Sequence, residues 1–135
     1  MPARLNHIAV FVAAVVFFFW GGLWFTIFSA PWKALAGNIT LNMAPTTYVA
    51  SFLLGWLMSY VAAIALTNHD HPQPARHGVE FGLFMGIGLI ATNMLNGFLY
   101  EGRPIGLWAI DAGYVVTGLA IVGAIVSGWR KKVAP

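Results

Sequence analysis

Four long apolar stretches separated by short polar segments make up almost the whole chain. About 20 mostly apolar residues suffice for a helix to cross a bilayer. By that measure, membrane spans are predicted at 5–29, 46–67, 78–100 and 105–128. Lipid offers no hydrogen-bonding partner to the backbone, so each span is expected to be a helix that satisfies its own N–H and C=O groups. Proline and polar residues punctuate the pattern. Pro31 is expected to end the first span and Pro45 to start the second, because proline cannot continue a helix without losing a backbone bond. Asn68-His69-Asp70-His71-Pro72 ends the second span, and Trp129-Arg130-Lys131-Lys132 closes the fourth. The stretch Pro31–Pro45 is long enough for an interfacial segment, with Trp32 and Lys33 suited to the headgroup region. Glu101–Pro104 is so short that the third and fourth helices must form an antiparallel hairpin. The fold class expected is all-α: a polytopic membrane protein, one domain over residues 1–135, built as a four-transmembrane-helix bundle.

Composition supports the membrane class. Hydrophobic residues make up 59% of the chain and charged residues 8%, against about 25% charged in a soluble domain. The first run exceeds the ~7–15-residue apolar core of a secretory signal, and it carries Trp20 and Trp24, so it reads as a retained span. The net charge of +3 does not point to nucleic acid, because the basic residues lie at span ends. Arg4, Arg76, Arg130, Lys131 and Lys132 fall on one side, and Lys33 and Arg103 on the other. This asymmetry places both termini and the second loop in the cytoplasm, and the chain in the inner (cytoplasmic) membrane. The absence of cysteine excludes disulfides, thiolate catalysis and zinc–thiolate sites.

Small residues recur at spacing four: Gly78, Gly82 and Gly86 in the third span, Gly55, Ser59 and Ala63 in the second, and Ala120, Ala124 and Gly128 in the fourth. Such stripes let helix backbones approach closely. Packing within the chain is the first expectation, and self-association through one stripe is compatible with it.

The polar groups at depth carry the functional expectation. A carboxylate inside a span is expensive, and by default marks a bundle interior or a water-filled path. Asp111 is such a residue. Asn93 and Asn96 are three apart and share a face of the third helix, and Asp111 and Tyr114 do the same on the fourth. Counting outward from the tight turn, the two pairs fall at similar depth. A cluster of Asn93, Asn96, Asp111 and Tyr114 between these helices is therefore expected, with Asp111 hydrogen-bonded to one of the asparagines. It would serve as a path for protons or small polar solutes, or as interhelical bonds worth about 0.6 kcal/mol each. Glu101 and Arg103 are expected to form an interfacial ion pair or cap in the turn; the alternative pairs Arg103 with Asp111. His69, Asp70, His71 and His77 sit in a short, proline-rich loop that reads as solvated, so no metal site is expected. No nucleophile elbow, phosphate-binding loop, dinucleotide fingerprint or zinc-protease motif occurs. The expectation is a protein without catalytic set or cofactor. The six tryptophans fit interfacial belts and lipid-facing surface.

Several of these segments resemble one family. Gly21-Gly22-Leu23-Trp24-Phe25 followed by Pro31-Trp32 is similar to the first-helix signature of the domain-of-unknown-function family numbered 1761. So is Asn96-Gly97-Phe98-Leu99-Tyr100-Glu101-Gly102-Arg103-Pro104, running into Asp111-Ala112-Gly113-Tyr114. The resemblance covers nearly the whole chain. It implies a small four-helix integral membrane protein of bacterial type without an assigned activity, and an asparagine where this chain has Asp111. Two readings of function follow. One is a self-associating bundle with a polar intramembrane path. The other is an accessory subunit of a larger membrane complex, binding partner helices, lipid or pigment. The partners expected are the bilayer itself and a second copy or another membrane protein.

Overall fold

The computed structural model describes residues 4–131; Lys132, counted above among the basic residues, lies outside them. Five helices follow one another: α1 (His7–Ile27), α2 (Ser29–Ala36), α3 (Pro45–Leu66), α4 (Pro74–Glu101) and α5 (Ile105–Gly128). No strand occurs among the described residues. Within α4, Gly86–Ala91 are wound as a π-helix. All except α2 are long and apolar enough to cross a membrane. At 1.5 Å per residue even α1, the shortest of the four, spans about 31 Å, which matches a hydrocarbon core of about 30 Å.

Local chemistry sets the ends of these helices. The Asn6 side-chain oxygen accepts from the backbone N–H groups of Ile8 (3.0 Å) and Ala9 (3.3 Å), capping α1. Pro45 and Pro74 open α3 and α4, where the missing N–H would have no intrahelical partner anyway. Pro31 does not end the first span. The helix breaks three residues earlier, at Phe28, and Pro31 lies in the first turn of α2. There it costs no hydrogen bond, for the same reason. Gly102, in the left-handed conformation (φ 68°), closes α4, with Arg103 N–H donating to the Phe98 carbonyl at 3.0 Å. The hairpin of α4 and α5 is as short as expected.

Helix α5 is the hub. It packs on α1, α2, α3 and all of α4, whereas α3 meets only the first part of α4 and does not touch its π-helical or final segments. The small-residue stripe of α4 makes the closest approach. A methyl group at Gly82 would lie 2.5 Å from the Ala120 Cα, and one at Gly86 would lie 3.0 Å from the Val116 Cα. Gly78 and Gly123 abut backbone to backbone. The facing surface on α5 holds the expected Ala120, Ala124 and Gly128, which meet Gly82, Gly78 and Ala75, and adds Val116 and Gly123. Gly55, Ser59 and Ala63 are all buried, with Gly55 seated against the Phe17 ring.

Both described ends of the chain lie together. The Lys131 N–H donates to the Arg4 carbonyl at 2.8 Å, and Arg4 pairs with Asp70 at 2.9 Å. Arg130 donates to the carbonyls of Leu66 (2.6 Å), Ser127 (2.9 Å) and His69, and to the Ser127 hydroxyl (3.0 Å). It thereby supplies a cation to the carbonyl-rich C-terminal ends of α3 and α5. Burial holds the Arg130 guanidinium below its ordinary pKa, with Asp70 opposing the shift and Arg4 adding to it; it stays ionised at neutral pH.

Candidate functional site

Asp111, Tyr114 and Thr117 stand three residues apart on α5, and their partners come from α1 and α2. Trp32 Nε1 donates to Asp111 Oδ1 at 3.0 Å, Trp24 Nε1 to the Ile110 carbonyl at 2.9 Å, and Trp20 Nε1 to Thr117 Oγ1 at 3.1 Å. Three indole donors thus form a ladder along one face of α5. Between its rungs the Tyr114 ring stacks on Phe17 (centroids 5.1 Å apart, 24° between planes) and meets Phe25 at 5.2 Å. Gly21 makes room for it: a methyl group there would lie 3.1 Å from the Tyr114 hydroxyl oxygen. Among the described residues that hydroxyl has no hydrogen-bond partner. A fourth indole works on the other side of α5. Trp108 Nε1 donates to the carbonyl of Ala91, the last π-helical residue, at 2.9 Å.

The structure does not bring the expected cluster together. Asp111 and Tyr114 face α1 and α2, whereas Asn93 and Asn96 are exposed on the outside of α4. The cause is the π-helical stretch. In an uninterrupted α-helix, seven residues return to the same face within about 20°, so Asn93 would follow Gly86 onto α5. The wider π turns hold an extra residue, which rotates everything beyond by about 100°. Ala91 and Phe98 are buried instead, and the two amides turn outward. Gly86-Ile87-Gly88 was the available signal, since paired small residues weaken the α-helical ladder at that point.

Arg103 pairs with Glu101 at 2.7 Å and lies over the Phe98 ring at 5.2 Å, so the turn closes on itself and Arg103 makes no bond to Asp111. His71 and His77 stack in parallel at 4.3 Å, and no group of three metal-ligand residues occurs among the described residues. His7 Nδ1 hydrogen-bonds the Tyr60 hydroxyl at 2.8 Å. The indole ladder itself was missed from the sequence, where the tryptophans read as belt and lipid-facing surface. Its signal was the i, i+4 spacing of Trp20 and Trp24 against the i, i+3, i+6 spacing of Asp111, Tyr114 and Thr117.

A lateral groove of about 580 Å³ opens between α1, α3 and α5, with Phe17 and Tyr114 in its wall and Thr46, Thr47 and Ser51 at one end.

The chain belongs to the family described as "Protein of unknown function (DUF1761)", whose profile matches residues 8–127. The match extends through all four membrane-span-like helices and includes the ladder, the turn and the π-helical stretch. No curated protein and no solved structure matches the chain.

Proposed function

We propose that this family member is a non-catalytic integral membrane protein that self-associates through the outer face of α4. The observation behind this reading is the outward position of Asn93 and Asn96. Counted along the helix from Glu101, they lie roughly 7–12 Å inside its end, on a surface that faces hydrocarbon in a single copy. A polar group left unpaired there costs on the order of 1–3 kcal/mol or more. Each amide carries both donors and an acceptor, so the same face on a second copy, related by a twofold axis, is self-complementary. Tyr100, 88% exposed on the same helix, extends that face toward the interface.

Asp111 faces α1 and α2, whereas the asparagines face outward from α4, so a polar path within one copy forms no part of this proposal. The Lys/Arg asymmetry favours a cytoplasmic location for the shared end that holds Arg4 and Lys131.

The chain contains no cysteine, so single reporters are clean. Tyr100→Cys should cross-link to itself in native membranes, and Asn93→Leu with Asn96→Leu should abolish that product. Leu53→Cys, exposed on α3, should stay monomeric. The proposal is wrong if Leu53→Cys dimerises as readily, or if the double leucine variant leaves the Tyr100→Cys product intact. A cross-link from Tyr100→Cys to a different protein would favour the accessory-subunit reading.

A further inference from the structure

We propose that the groove between α1, α3 and α5 is a binding site for one phospholipid, held by its ester carbonyl. Its volume of about 580 Å³ falls within the ~300–1,000 Å³ of pockets that take small ligands. The groove is open to the side, so it can hold the ester region and one stretch of acyl chain while the rest of the lipid stays in the bilayer. The groove exists because α3 diverges from α4 and leaves the side of α5 around Tyr114 and Val115 uncovered. In a bilayer such a slot is filled by what surrounds it.

The polarity of the walls sets the orientation. Thr46, Thr47 and Ser51 belong to the first two turns of α3, at the end of the bundle opposite the chain termini. Leu54 and Met58 line the groove one to two turns deeper. Hydroxyls at the membrane surface and apolar walls below match an ester-linked headgroup region continuing into an acyl chain. Tyr114 supplies an independent observation. Its ring is fixed between Phe17 and Phe25, and its hydroxyl, beside Gly21, lacks a hydrogen-bond partner among the described residues. Gly21 lies six residues before the end of α1, about 9 Å along the axis, and Ser51 is six residues from the start of α3, so the two hydroxyls reach similar depth. A lipid ester carbonyl at that depth accepts from the Tyr114 hydroxyl, and Ser51 keeps the opposite wall polar.

Native mass spectrometry of the full-length protein tests this, after detergent exchange and titration with dioleoyl phosphatidylcholine or its ether-linked analogue, which lacks the carbonyls. The intact chain should retain one ester lipid per copy and bind the ether analogue about fivefold more weakly, the factor for one hydrogen bond. Tyr114→Phe should bind the two lipids equally. Ala50→Phe, which fills the groove, should lose the stoichiometric lipid, with circular dichroism confirming that the helices persist. Equal binding of ester and ether lipids by the intact chain, or undiminished binding by Ala50→Phe, overturns the proposal. So does an Ala50→Cys variant that cross-links to a second copy in membranes.

Discussion

Replacing Gly82 by alanine probes the contact that holds α4 on α5. The added methyl group would stand 2.5 Å from both the Ala120 Cα and the Leu119 carbonyl oxygen. Both are backbone atoms, so no rotamer change can admit it. Carbon contacts are optimal at about 3.5–4.0 Å, so α4 must retreat by about 1 Å. Gly78 and Gly86 rest on the same helix, and the retreat therefore loosens the whole stripe. If on the order of 30 atom pairs each forfeit about half of a well ~0.15 kcal/mol deep, the loss is about 2 kcal/mol. That agrees with the ~1–3 kcal/mol typical of overpacking. Gly97 is the matched control. It lies in the same helix with nothing within 4 Å of an added methyl, and alanine there should gain up to about 1 kcal/mol from helix propensity. Reversible unfolding in mixed micelles of rising sodium dodecyl sulfate content, followed by tryptophan fluorescence, should separate the two variants by about 2–3 kcal/mol. If Gly82→Ala and Gly97→Ala unfold at the same point, close backbone packing does not hold this pair of helices and the argument fails.

Three further outcomes follow from the same structure. Asp111→Asn keeps an oxygen to accept from Trp32, so its thermal stability in detergent should match the parent, while Asp111→Ala and Trp32→Phe should each lose about 0.5–1.5 kcal/mol; additive losses in the double variant would show that the bond is not there. Arg130→Lys should be nearly as damaging as Arg130→Met, at about 1–3 kcal/mol, because a point charge cannot reach the Leu66, His69 and Ser127 oxygens together; full stability of the lysine variant would contradict that. Gly102→Ala should destabilise the hairpin by about 1–2 kcal/mol through its left-handed backbone, whereas Glu101→Gln, which breaks only a half-exposed ion pair, should change stability by less than about 1 kcal/mol; the reverse order in the same unfolding assay would overturn the account of the turn.

The four long apolar helices and the antiparallel hairpin were legible in the linear sequence. Each follows from a one-dimensional quantity: the length of an apolar run against the thickness of hydrocarbon, or the number of residues available for a turn. The glycines of α4 were legible as a packing surface for a related reason, since a spacing of four residues defines a face wherever the helix is regular. What each face meets was decided by the tertiary structure. Counted along their helices from the turn, Asn96 and Asp111 lie at similar height, yet a π-helical stretch of six residues turned the asparagine outward, and Trp32, reaching from α2, became the partner of the carboxylate. Depth accumulates along the chain and survives local irregularity. Azimuth does not, because one extra residue in a turn rotates every side chain beyond it by about 100°, and only the packed neighbours determine whether that residue is there.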